Sequence, residues 1–176
     1  VGNPALNVDF SRSDPAAFRA SLGLGADDPL LLVLPGSRPS EIRRLMPVFR
    51  EVMLRLGRER PGLTMATPVA DTVRAAVEDA TRDLPLRFTL IGNEADKYAA
   101  MRAADLALAC SGTVSTELAL AGCPMVIAYR MEPLTWWIVK HYSTLRHATL
   151  FSTVAGKRIA PEFIQDDCTA DNLLAE

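Results

Sequence analysis

Two short segments of this chain carry residue types suited to holding an anion. The first, Pro35-Gly36-Ser37-Arg38-Pro39-Ser40-Glu41, follows an apolar run. A glycine there lets the backbone approach a ligand closely, and the helix that follows presents unpaired N–H groups. Arg38 adds a planar fork that matches phosphate oxygens. The same residues also fit a tight turn in which Arg38 is solvated or pairs with Glu41. The segment lacks the G-x-x-x-x-G-K-[ST] pattern, so it is not a Walker loop. The second segment is Cys110-Ser111-Gly112-Thr113-Val114-Ser115-Thr116-Glu117. Small hydroxylated residues at a helix start offer amides and hydroxyls to an anion, favoured by the positive end of the helix dipole. Glu117, one turn in, is placed to accept bonds from both hydroxyls of a ribose, as acidic residues do in dinucleotide sites. The competing reading is N-capping by Ser111 or Thr113, with Glu117 only complementing the dipole.

Other candidates are weaker. Gly92-Asn93-Glu94 suits a base through its backbone, but reads first as a plain turn. His141 and His147 lack the spacing of a metal site, so no metal and no cofactor are expected. Cys110 and Cys123 read as small buried apolar residues rather than activated thiols.

These segments need elements to position them. The run over 30–34 is continuously apolar, as for a strand buried on both faces. Ser13-Asp14-Pro15 predicts the cap of a short helix with Phe18 and Leu22 on one face. Helical spacing links Ile42, Leu45, Met46, Phe49, Val52, Met53 and Leu56, with Pro47 expected to kink or restart that helix. Further strands are predicted over 63–66, 86–91, 106–109 and 125–129, with helices over 73–80, 98–104 and 114–121. Alternation of this kind specifies an α/β fold: a parallel sheet with helices on both faces and right-handed crossovers. The loops at 35–40, 92–96, 111–113 and 130–133 then share the carboxyl edge, where ligands bind in such folds.

Composition narrows the function classes. The chain has 176 residues, 49% apolar and 23% charged, as expected of one soluble domain with its own core. A net charge of −2 argues against a broad nucleic-acid footprint. No apolar run approaches the roughly 20 residues of a membrane span, and no signal-peptide pattern opens the chain. Three cysteines without C-x-x-C spacing argue against a disulfide framework or zinc ribbon and for a reducing cytosol. Opening on Val1 rather than Met, the chain is expected to be a piece of a longer protein. Charge is uneven. The stretch 130–158 holds Arg130, Lys140, Arg146, Lys157 and Arg158 against Glu132, net +4, while the rest carries 14 basic and 20 acidic residues, net −6. Trp136, Trp137, Ile138, Val139 and Tyr142 interleave with those cations. That mixture suits a membrane surface or an amphiphilic, phosphate-bearing substrate, and equally a helix packed on the sheet with a solvated basic rim.

Several motifs together resemble the lipid-A-disaccharide synthase family: Leu34-Pro35-Gly36-Ser37-Arg38 with Glu41, Ser111-Gly112-Thr113 with Glu117, Cys123-Pro124-Met125-Val126, and Tyr129-Arg130-Met131 followed by Trp137. The final Pro161-Glu162-Phe163-Ile164-Gln165 with Cys168 is similar as well, so the resemblance runs over essentially the whole chain. It implies the Rossmann-like, C-terminal, UDP-binding half of an inverting, metal-independent glycosyltransferase of GT-B fold from a Gram-negative bacterium. The donor would be UDP-2,3-diacylglucosamine and the acceptor 2,3-diacylglucosamine 1-phosphate, joined at the cytosolic face of the inner membrane in lipid A biosynthesis.

Carried onto this chain, the resemblance assigns Gly36, Ser37 and Arg38 to the donor diphosphate and Ser111, Gly112 and Thr113 to its second cradle. Glu117 would hold the ribose, and Arg130 and Ser152 would be further donor-site contacts. Ser152 stands where the family usually has Asn. The catalytic base is expected in an N-terminal half of the same enzyme, leaving this chain inactive alone. The family's last helices are also expected to lie beyond this chain, leaving an apolar patch that favours a homodimer. Rival readings are a UDP-GlcNAc 2-epimerase, a peptidoglycan GlcNAc transferase and a non-catalytic nucleotide-binding module.

Overall fold

The computed structural model describes residues 9, 10, 13–132, 136 and 160–176. Six strands form one parallel sheet: β1 (Leu30–Leu34), β2 (Thr64–Pro68), β3 (Arg87–Ile91), β4 (Leu106–Cys110), β5 (Met125–Tyr129) and β6 (Glu162–Ile164), in the order β3-β2-β1-β4-β5-β6. The helices are α1 (Pro15–Ser21), α2 (Pro39–Glu59), α3 (Arg74–Thr81), α4 (Glu94–Ala103), α5 (Thr113–Ala121) and α6 (Ala170–Leu174). This is an α/β, Rossmann-like arrangement, as the alternation of apolar runs and helical patterns predicts.

Burial follows sheet position. In central β1 all five residues are buried, whereas edge strand β3 buries only Ile91 and alternates exposed and half-buried positions. The alternating side chains of β1 divide between two cores. Leu31 and Val33 pack with Ile42, Leu45, Phe49 and Met53 of α2, while Leu30, Leu32 and Leu34 pack with Ala100 and Met101 of α4 and Leu118 of α5. Helices therefore cover both faces.

Most element ends fall within one or two residues of the sequence expectation, but four features differ from it. Helix α2 runs through Pro47 without a restart, because the ring faces solvent while Met46, Val48 and Phe49 stay buried. Helix α4 begins at Glu94, four residues earlier than its apolar pattern suggests. The Asn93 side chain caps it, accepting from the Asp96 N–H at 2.7 Å. A 3₁₀ turn over Asp71–Val73 precedes α3. Strand β6 was not legible as an apolar run: it has three half-buried residues and pairs with β5, Ala128 opposite Phe163.

Candidate functional site

Strands β1 and β4 lie side by side, with Leu34 opposite Ala109. The chain leaves β1 outward through β2 and β3, then returns to the other side of β1 as β4. The carboxyl ends of β1 and β4 thus flank the point where strand order reverses, where open α/β sheets place their ligand crevice. A cleft of about 920 Å³ opens there. Gly36, Ser37, Arg38, Ser111, Gly112, Thr113 and Glu117 all line it. The two glycine corners that the sequence singles out therefore face one space.

The corners are built differently. At the first, Arg38 is the N-cap of α2 and Glu41 completes a capping box. The Glu41 carboxylate accepts from the Ser37 N–H at 2.9 Å and the Arg38 N–H at 3.2 Å, and the Arg38 guanidinium reaches it at 3.2 Å. Gly36 has φ +118°, and a Cβ on it would lie 2.4 Å from Glu41 Oε2 and 2.7 Å from the Glu41 Cβ. Glycine is required here so that the loop can close over Glu41. The amides of Ser37 and Arg38 are thus engaged by the protein's own carboxylate. The Arg38 side chain remains 77% exposed at the rim.

At the second corner Gly112 is the N-cap of α5, and no side chain caps the helix. Neither Ser111 nor Thr113 serves as the N-cap. Gly112 adopts φ +155° and ψ −159°, a region essentially restricted to glycine. The buried Ser115 hydroxyl donates to the Gly112 carbonyl at 2.7 Å, holding the turn from beneath. Thr113 and Val114, the first residues of α5, line the cleft. The first turn of a helix has N–H groups without intrahelical acceptors, so this corner presents donors and the positive end of the dipole to the cleft.

Glu117 is one turn further along α5 and only 8% exposed. Its Oε2 lies 2.7 Å from the Nζ of Lys97 on α4. Tyr98 stands beside Lys97, with the ammonium 4.9 Å from its ring centre. The Tyr98 hydroxyl donates to Glu94, and burial first, then that bond and the charges of Glu94 and Glu117, push its pKa up to about 12. Cys110 also borders the cleft, its thiol pushed up to about 12 chiefly by burial, in keeping with a small apolar residue. Cys123 and Cys168 are likewise buried and unpaired in disulfides.

Gly92, Asn93 and Glu94, read from sequence as a plain turn, both start α4 and line the cleft. Lys97, Pro68 at the end of β2, and Val69 and Ala70 just after it also line it and were missed. Lys97 had a signal: it falls one turn after Glu94 in a helix rising from the same sheet edge. Arg130 is not among the lining residues; its guanidinium donates to the Cys168 carbonyl at 2.5 Å. Ser152, Trp137, His141, His147 and most of the basic aromatic stretch lie outside the described residues. Of that stretch Trp136 and Met131 line the cleft, and Glu132 pairs with Arg44 of α2.

A protein-family model described as lipid-A-disaccharide synthetase matches residues 1–176. A lipid-A-disaccharide synthase of Paramagnetospirillum magneticum is 39% identical over 99% of this chain and 45% of its own length. The chain therefore spans less than half of the curated relatives it matches. Among solved structures, the ADP-heptose lipopolysaccharide heptosyltransferase II of E. coli superposes with a TM-score of 0.61 at 14% identity. That match covers 96% of this chain and 50% of the other. The UDP-GlcNAc 2-epimerase of Neisseria meningitidis, bound to UDP-GlcNAc, gives a TM-score of 0.60 at 14% identity. It covers 90% of this chain and 38% of that one. At such identities these two similarities establish the fold alone.

Proposed function

The chain belongs to the lipid-A-disaccharide synthetase family, and on that premise we propose that it is the UDP-binding, C-terminal half of a two-domain GT-B glycosyltransferase. The whole enzyme moves 2,3-diacylglucosamine from its UDP donor to 2,3-diacylglucosamine 1-phosphate. The observation that carries this reading is the convergence of the corners after β1 and β4 on one cleft at the strand-order reversal. A pyrophosphate seated there meets the uncapped start of α5 on one side and the Arg38 guanidinium on the other, with Glu117 a turn away for the ribose.

The chemistry requires such groups. Displacement at the anomeric carbon, with inversion, passes through an oxocarbenium-like state while negative charge grows on the departing UDP. Helix-start amides and the Arg38 guanidinium meet that charge without a metal. The general base belongs to the N-terminal half, so these residues bind and stabilise the leaving group rather than move the proton. Titration of full-length protein with UDP, followed by turnover of the diacylated donor in the presence of EDTA, tests the reading. Binding and chelator-insensitive transfer are expected. Absence of UDP binding, or of transfer, overturns it.

Substrates with acyl chains place the enzyme at a lipid surface, on the cytosolic face of the inner membrane. Among the described residues no helix is long and apolar enough to cross a membrane. The basic aromatic stretch 130–158 supplies the attraction instead. Charge reversal at Lys140 and Arg146 is expected to weaken sedimentation with anionic vesicles, and unaltered sedimentation removes that role from the stretch.

A further inference from the structure

Lys97 is a cation that neither the glycine corners nor the leaving-group chemistry uses. Its side chain is three-quarters buried, it lines the same cleft, and its Nζ stands 2.7 Å from Glu117 Oε2. The Tyr98 ring flanks it on another side. Of the other two acids on its helix, Glu94 accepts from the Tyr98 hydroxyl and Asp96 from the Asn93 side-chain amide. Both members of the pair are thus held in place at the wall of the cleft, and neither is a solvated surface charge.

From this we propose that Lys97 is a further nucleotide-binding and specificity-determining residue, its ammonium fixed on Glu117 and donating to the ribose 2′-oxygen. The inference rests on the nucleotide reading above. An ammonium carries three N–H donors and a carboxylate only acceptors. One donor faces Glu117, which leaves others for a ligand. A hydroxyl of the ribose can donate to Glu117 and at the same time accept from Lys97. The pair therefore offers a vicinal diol both halves of its hydrogen-bonding capacity. A nucleotide lacking the 2′-hydroxyl leaves one N–H of the three-quarters-buried Lys97 and one acceptor position of the buried Glu117 unmatched, the circumstance in which protein sites discriminate most strongly.

The test compares UDP with 2′-deoxy-UDP by calorimetry on the full-length protein. The wild type is expected to bind UDP at least about tenfold more tightly than the deoxy analogue. Lys97→Met is expected to weaken UDP by about tenfold and bring the two nucleotides within about threefold of each other. That variant strands the buried Glu117 carboxylate. The double variant Lys97→Met/Glu117→Gln, which removes both charges, carries the same expectation for the ratio. A pair that only stabilises the fold leaves the ratio untouched. The proposal is overturned if the wild type shows no preference, or if either variant retains it. Failure of the nucleotide reading itself looks different, because the wild type then binds neither compound.

Discussion

The loops after β1 and β4 enter the same cleft with similar glycine chemistry, yet they have opposite internal states. The first is closed upon itself: Glu41 takes the amides of Ser37 and Arg38 and leaves only the arginine side chain for a ligand. The second is open, since Gly112 caps α5 without a side chain and Thr113 and Val114 face the cleft. A glycine followed by a helix is therefore not by itself an anion site. What decides is whether a neighbouring carboxylate has already satisfied the helix start. The charges along the cleft sharpen the point. Arg38 and Lys97 are matched against Glu41 and Glu117, and Glu94 adds a further acid to the lining, so on the proposed reading attraction for a pyrophosphate comes from the α5 dipole and from an arginine free enough to turn.

This contrast can be broken by mutation in the full-length enzyme. The largest effect is expected at the open corner. Gly112→Val forces a side chain into a glycine-only conformation and re-aims the α5 amides, and should lower kcat/KM by roughly 10³-fold or more with the circular dichroism spectrum retained. A loss under about tenfold would mean that the open corner does not hold the leaving group. Next is Arg38→Ala, expected to cost about 2.7–4 kcal/mol in kcat/KM, the usual consequence of deleting one charge-stabilising donor. An unchanged value removes Arg38 from the mechanism.

Glu117→Ala should weaken UDP binding by about 1.5–3 kcal/mol while the protein stays folded. Equal affinity in mutant and wild type would reduce Glu117 to a partner of Lys97. The smallest effect on the ligand is expected at the closed corner. Glu41→Ala deletes the capping box and should lower unfolding stability by about 0.5–2 kcal/mol in urea, with UDP affinity kept within about threefold. A tenfold change in affinity, up or down, would show that the Ser37 and Arg38 amides belong to the ligand after all.

Much of this was readable along the chain. Continuous apolar runs at 30–34, 106–109 and 125–129 mark strands in the middle of the sheet, and the helices between them dictate parallel pairing. Both glycine corners and Glu117 were identified from residue type and spacing. The cap at Asn93 was also written in the sequence, but its helix was placed late because its first turn shows no apolar pattern: Glu94 and Lys97 face the cleft and Asp96 bonds the Asn93 cap. Strand β6 escaped because a three-residue edge strand has too few positions to show a period, and its pairing with β5 spans more than 30 residues.

Local sequence determined which segments are strands, where helices start and which turns demand glycine, because backbone sterics and capping act over a few neighbouring residues. Only the folded chain decided that Gly36 and Gly112 share one cleft and that Lys97 meets Glu117. The shared cleft depends on strand order, and the Lys97–Glu117 contact on two helices packing against each other. Side chains far apart along the chain become neighbours only when burial of the two cores fixes the sheet. The Lys97–Glu117 pairing then follows from that placement and not from any local preference.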